Sequence, residues 1–300
     1  MSAVEKIQAM LDADKASADS ACPVCSSIKT TNISRRDRYG IRISYRMCHS
    51  CALVYASPQP SAEFYAWFYE GYYRALLTEH FNRPFDNAAL EVEQRRYGSE
   101  IAAFILPYLG KKERLAALDV GGSTGIITDE LRSRVRRYTG QDLIGTVVDP
   151  SSEELALAEK LGLKTVHGTF EQISPDRFDR YDLIMICKIT DHLLNPLDVI
   201  KIAFNLLSDD GLLYLDFVDL EFNVKNKGLT GSLKIDHPFN YSRPNRELCL
   251  HLSGLTVIDE IVTENGVLPG YLCRKAGNTV DDYKCDPTEV ERLCALFSAG

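Results

Sequence analysis

Residues 119–125 read DVGGSTG, between the apolar run LAAL at 115–118 and the helix-like stretch IITDEL at 126–131. A turn needs one or two residues of turn type. Three glycines with a serine and a threonine do more: they let a ligand approach the backbone between a strand and a helix. The amides at the start of that helix have no partner inside it and face the same ligand.

Outward from this turn, strands alternate with helices. LAALDV is followed by the helix IITDELRSRV, TVVDP by SSEELALAEKLG, and KTVHG by the strongly apolar YDLIMICK. NPLDVIKIAFNLLS reads as a helix and GLLYLDFVD as a fifth strand. After a polar insertion comes the helix RPNRELCLHLSG, and then TVIDEIVTE and VLPGYLCRK, two strands joined at Asn265-Gly266 as a hairpin. The expectation is an α/β fold: a doubly wound, mostly parallel seven-stranded sheet covered by helices, with one antiparallel strand at or near an edge. In such sheets ligands bind beyond the carboxyl ends of the strands, where strand order reverses. Asp149, ending the second strand, is placed to accept hydrogen bonds from ribose hydroxyls. The alternative is a plain tight turn, with Asp149 capping the next helix.

Ahead of the sheet stand Cys22-Pro-Val-Cys25 and Cys48-His-Ser-Cys51, two C-x-x-C pairs 22 residues apart. Each pair can present two thiolates to one tetrahedral ion, so the four predict a closed structural Zn2+ site. His49 is then surplus and exposed. Few apolar residues stand between the pairs, which predicts that the metal supplies much of this lobe's folding energy. The segment between them is basic (Lys29, Arg35, Arg36, Arg38, Arg42, Arg46). It reads as a solvated face, a nucleic-acid surface or a site for an anionic small substrate. The expected division is a helical tail at 1–21, a zinc-ribbon lobe at 22–56, an aromatic helical connector at 57–110, the catalytic domain at 111–275 and a C-terminal helix at 276–300.

The order DVGGSTG, VVDPSSEELALAEKLG, HGTFEQI, YDLIMICKITDHLLNP, LLSDDGLLYLDF and a closing helix and hairpin resembles the class I S-adenosylmethionine-dependent methyltransferases, with their Rossmann-like fold, over roughly residues 110–275. A dinucleotide dehydrogenase would show G-x-G-x-x-G at the turn instead. The resemblance implies that Asp119, Gly121, Gly122, Ser123 and Gly125 hold the amino-acid end of S-adenosyl-L-methionine. Ser123 stands where that family often has its middle glycine. By the same resemblance Asp149 and Pro150 meet the ribose, Thr169, Phe170 and Glu171 lie beside adenine, and Lys188 lies near the sulfonium.

Methyl transfer to most acceptors needs a base. His192 in TDHLLNP follows the fourth strand, and Asp236-His237 lies in the insertion LKIDHPFNYS. A cysteine segment, an aromatic helix and this core together are similar to bacterial sugar methyltransferases, including nucleotide-sugar C-methyltransferases. There an acid–histidine pair ahead of an aromatic serves the acceptor, and a tyrosine before the core lines the site. Tyr69, Tyr72 or Tyr73 could correspond, and Tyr72 is the expectation. The glycine-rich end of the last strand in that group is only PGYLCR here, which leaves O-methylation open. His237 is expected as base, with Asp236 orienting its ring and raising its basicity.

The predicted protein is thus a cytoplasmic transferase of carbohydrate biosynthesis acting on a small, saccharide-type molecule. An RNA methyltransferase with a zinc ribbon and a non-catalytic binding module are the alternatives. A net charge of −8 argues against nucleic acid, and no apolar run is long enough for a membrane span. The acceptor and the oligomeric state are not legible.

Overall fold

A computed structural model describes residues 1–15, 21–82, 87–172, 178–276 and 283–299, without the side chains of 87–89. The chain opens with α1 (Ala3–Ala13), whose first turn is closed by a capping box between Ser2 and Glu5. Three short strands follow, β1 (Thr30–Ser34), β2 (Tyr45–Cys48) and β3 (Val54–Ala56), each antiparallel to the next. The connector is helical: α2 (Ala62–Gly71), α3 (Tyr73–Phe81) and α4 (Asn87–Ile105).

The main sheet then begins. β4 (Arg114–Val120), α5 (Ile126–Thr139), β5 (Asp142–Asp149), α6 (Ser152–Lys160), β6 (Lys164–His167), β7 (Tyr181–Ile186), α7 (Pro196–Leu206) and β8 (Leu207–Asp216) alternate along the chain. Next come α8 (Leu220–Ser232), broken at Gly228, then β9 (Phe239–Asn240) and α9 (Arg243–Leu252). β10 (Leu255–Thr263), β11 (Leu268–Lys275) and α10 (Pro287–Ser298) end it.

The seven strands lie in the order β10-β11-β8-β7-β4-β5-β6, and only β11 runs against the rest. Both faces of β4 and β7 are covered, which is why they read as nearly continuous apolar runs. The chain leaves β4 towards β6 on one side and returns through β7 on the other. The reversal therefore falls between β4 and β7, and a crevice at their carboxyl ends is where a ligand belongs.

Two expectations need correction. The polar insertion after β8 contains a helix, α8, and its β9 pairs with β3, joining the N-terminal sheet as its fourth strand. The N-terminal lobe is also not short of core. Ile41, Ile43, Tyr45, Met47, Leu53 and Val54 are buried in one cluster with Phe239, Tyr241, Leu293 and Phe297. Counting the apolar residues between the cysteines missed this, because the partners come from the far end of the chain. No helix among the described residues is long and apolar enough to cross a membrane.

Candidate active site

The glycine turn has the geometry its composition implies. Gly121 has φ +67°, and a Cβ there would lie 2.6 Å from Ile189 Cδ1. Gly125 has φ +73° and starts α5 with no side-chain cap. Ser123 takes φ +52°, a left-handed conformation that is unusual outside glycine and marks the turn as a constrained position. Its amide donates to Asp149 Oδ2 at 3.0 Å, and its hydroxyl donates to Glu154. The Ser151 amide donates to Asp149 Oδ1 at 2.8 Å, so Asp149 ties the two strand ends together. Asp119 is fully buried under the turn. Thr128 donates to its Oδ2 at 2.6 Å, while Oδ1 has no partner among the described residues. Burial pushes its carboxyl up to about 7.

The other expected cofactor residues follow the carboxyl ends of β5, β6 and β7. The Pro150 carbonyl lies 2.9 Å from His167 Nε2. Thr169, Phe170 and Glu171 follow β6; Phe170 is buried and edge-on to Phe178, and burial raises the Glu171 carboxyl. Lys188 follows β7 with φ +58°. Its amide donates to Asp216 Oδ1 at 2.7 Å, and its ammonium donates to Glu264 Oε1 at 2.7 Å, over the Tyr97 ring. An orphaned buried carboxylate oxygen, glycines with no room for Cβ atoms and a helix start without a side-chain cap suit a ligand with a cationic amino-acid end.

The histidines from different segments meet. His192 and His237 face each other edge to face, with ring centroids 4.6 Å apart. Tyr69 Oη lies 2.8 Å from His192 Nδ1 and donates to the Asp236 carbonyl at 3.2 Å. Asp236 is 1% and His237 3% exposed, and Asp236 Oδ1 has no partner among the described residues. Tyr72 is elsewhere: it stacks on Trp67 at 4.1 Å with Lys6 above its ring, so Tyr69 replaces it in this cluster. The helical phase decides. Tyr65, Tyr69 and Tyr73 follow one another at four-residue steps, and their rings form a ladder that ends on His192.

The expected Asp236–His237 orientation also needs correction. The nearest group to His237 Nε2 is Lys234 Nζ at 2.8 Å, with Asp236 Oδ2 at 3.6 Å. Burial and the adjacent lysine hold His237 well below the usual histidine range. Burial takes His192 down to about 4. Both rings are neutral near pH 7 and free to accept a proton only when the site compensates the charge. Lys234 and Asp37, whose Oδ2 accepts from the Ile235 amide at 2.9 Å, were missed by sequence reasoning.

The four cysteines converge in the N-terminal sheet. Cys22 and Cys51 sulfurs lie 3.7 Å apart, and Cys25 and Cys48 sulfurs 3.5 Å apart. Tetrahedral zinc with bonds of about 2.3 Å needs sulfurs roughly 3.8 Å apart, so the set suits that ion. Each pair closes a tight knuckle, with the Ser26 amide on the Cys22 carbonyl and the Ala52 amide on the Cys48 carbonyl. His49 points away, its Nε2 3.0 Å from Thr31 Oγ1. Cys187, Cys249 and Cys273 are buried and separate from this cluster.

Comparison with known proteins places the fold. A family described as a methyltransferase domain matches residues 91–260, more than half of the chain. A mitomycin 7-O-methyltransferase is 16% identical with a TM-score of 0.51, over 71% of this chain and 60% of that one. A methyltransferase from Haloferax volcanii, solved with the Trm112 activator, is 14% identical with a TM-score of 0.50, over 63% and 94%. An S-adenosylmethionine-dependent methyltransferase from Clostridium acetobutylicum is 16% identical with a TM-score of 0.47, over 60% and 91%. No curated protein matches the chain. The chain belongs to the methyltransferase-domain family and is a methyltransferase.

Proposed function

We propose that this enzyme methylates a small polar acceptor, a sugar or nucleotide-linked sugar, with His237 as the base. The observation that carries the reading is the cluster of Tyr69, His192, Asp236 and His237, built from three segments: α2, the stretch after β7 and the loop after α8. Asp236 and His237 are buried, Tyr69 and His192 border solvent, and the set is rich in hydrogen-bonding groups suited to hydroxyls; Asp236-His237 resembles the acid–histidine pair of the sugar enzymes. S-adenosylmethionine, when bound, supplies an electrophilic methyl group. Asp119 and the turn at Gly121–Gly125 would hold its amino-acid end, Asp149 and Pro150 its ribose, and Thr169–Glu171 its adenine, with Lys188 close to the sulfonium.

The chain's own residues then have distinct tasks. His237 takes the acceptor's proton. His192, fixed through Nδ1 by Tyr69, orients the acceptor from the opposite side. The aromatic ladder of α2 and α3 shields Asp236 and His237 from water, which strengthens the polar contacts they make. Zinc on Cys22, Cys25, Cys48 and Cys51 is structural, holding the sheet against which β9 and the acceptor loop are built.

The test is calorimetry with S-adenosylmethionine, followed by transfer of labelled methyl groups to a panel of nucleoside-diphosphate sugars and to total RNA. Binding, with label in a sugar, is the expected result. His237→Ala should bind the cofactor as wild type does and lose about two to four orders of magnitude in turnover. Label only in RNA would remove the sugar reading, and no cofactor binding would remove the whole proposal.

A further inference from the structure

Lys234 and His237 stand in a hydrogen-bonding relation that constrains their protons. The segment between them is a turn closed by the His237 amide on the Lys234 carbonyl at 2.9 Å, which folds the lysine back onto the imidazole. The two side-chain nitrogens lie 2.8 Å apart. An ammonium has only donors, and a doubly protonated imidazole likewise, so at this distance one partner must be unprotonated at the contact. Two arrangements remain. Either a lysine N–H, of the ammonium or of the amine, donates to Nε2 and the ring carries its hydrogen on Nδ1, or the ring donates from Nε2 to a neutral amine and Nδ1 is bare.

Only the second arrangement leaves Nδ1, the nitrogen not engaged by the lysine, able to take a proton. Asp236 Oδ2 lies 3.8 Å from Lys234 Nζ, ready to stabilise a charge formed there. Asp191, Asp236 and Arg38 act on the lysine, and His192 faces the ring. Burial lowers the affinity of the Lys234 amine for its proton, against the pull of Asp236 and Asp191.

We infer that Lys234 is the positioning residue of the base: it sets the tautomer of His237 and receives the ring's Nε2 proton when Nδ1 takes one from the acceptor. The protons balance. One leaves the acceptor, one arrives on Nζ, and His237 ends neutral with its hydrogen on Nδ1. The ammonium formed beside Asp236 then returns its proton to solvent before the next turnover. This rests on the proposal that His237 is the base, and the experiment separates the two.

The test uses the full chain with 15N-labelled histidine, the His237 ring being assigned by its loss in His237→Asn. In wild type, raising the pH from 6 to 10 should move the ring hydrogen from Nδ1 to Nε2. Lys234→Arg keeps a cation of similar reach but cannot release its proton at any of these pH values. It should lock the hydrogen on Nδ1 throughout. Lys234→Met should abolish the coupled switch. In methyl transfer to the sugar panel, Lys234→Arg should lose about 10- to 100-fold in kcat, with KM and cofactor affinity within about twofold of wild type. A ring whose tautomer is the same in wild type and Lys234→Arg over the whole range overturns the inference, whatever His237→Ala does to turnover. A switch that is present while His237→Ala retains full turnover upholds the coupling and removes the base assignment instead.

Discussion

The Asp37 carboxylate accepts the backbone amide of Ile235 through Oδ2 at 2.9 Å, and the amides of Tyr39 and Ile41 through Oδ1, each at 2.9 Å. One side chain of the N-terminal lobe therefore fixes both its own loop and the segment that carries Lys234, Asp236 and His237. The Arg38 amide donates to the Leu233 carbonyl at 2.9 Å and adds a second tie. The lobe is in this sense a wall of the proposed acceptor site.

Asp37→Ala should accordingly damage turnover from a distance. It leaves three amides without their acceptor, and an unsatisfied buried donor costs roughly 1–3 kcal/mol. The expected loss in stability is about 2–4 kcal/mol by urea unfolding, with cofactor affinity little changed in the folded fraction. Asp37→Asn keeps one good acceptor and should fall between the two. A variant as stable as wild type would show that the tie carries no load.

The cysteine cluster makes a related expectation. Elemental analysis should find one zinc per chain, and Cys48→Ser should lose it. Because β3 pairs with β9 and shares its core with Phe239 and Tyr241, the loss should reach the acceptor loop as well as the lobe. Limited proteolysis should cut near residues 22–56 and slow turnover, while the cofactor turn at Asp119 stays protected. Protein without metal that turns over normally would remove the ion from the account.

Asp119 gives the cofactor step a pH dependence. Its carboxyl is pushed up to about 7 by burial, so much of it is protonated in the free enzyme below neutrality. The ammonium of the cofactor favours the carboxylate, and binding below pH 7 must displace that proton. Affinity should therefore rise by up to about tenfold per pH unit between roughly 5 and 7, then level off. Asp119→Asn should bind more weakly with a flat profile. Calorimetry across pH 5.5–8.5 would detect either pattern.

Ser123 separates strain from hydrogen bonding. Its φ of +52° costs a non-glycine residue about 1 kcal/mol, and its hydroxyl bond to Glu154 offsets that by a similar amount. Ser123→Gly removes both and should lie within about 0.5 kcal/mol of wild type; Ser123→Ala keeps the strain, loses the bond and should be about 1 kcal/mol less stable. Equal destabilisation of the two variants would show that the backbone at this position is unstrained.

What the sequence disclosed follows from how local each feature is. The turn at 119–125 was legible because glycine spacing, the strand before it and the helix after it are neighbours in the chain. Each C-x-x-C pair is likewise its own knuckle. The acceptor cluster is different: Tyr69 and His192 are 123 positions apart, and Asp37 and Ile235 are 198 apart. Nothing near Asp236 in the chain announces Asp37. The choice among Tyr69, Tyr72 and Tyr73 was within reach, since the four-residue step from Tyr65 separates Tyr69 from Tyr72. The pairing of β9 with β3 was not, because two residues carry no readable strand pattern.

That choice among tyrosines gives the sharpest comparison. Tyr69 Oη touches His192 Nδ1 and the Asp236 carbonyl, so Tyr69→Phe removes the group that fixes the His192 tautomer. Tyr69 is partly exposed, so losing these bonds should cost roughly 1–2 kcal/mol of transition-state binding, or about 5- to 30-fold in kcat/KM. Tyr72 stacks on Trp67 with no part in the cluster, and Tyr72→Phe keeps its ring. Its turnover should stay within about twofold of wild type, well below the roughly 1.4 kcal/mol that a tenfold change represents. Methyl transfer by the two variants to one acceptor at one pH measures the difference directly. If Tyr72→Phe were the damaged enzyme and Tyr69→Phe the normal one, the aromatic ladder would end at the wrong residue and the acceptor site would have to be rebuilt around Trp67.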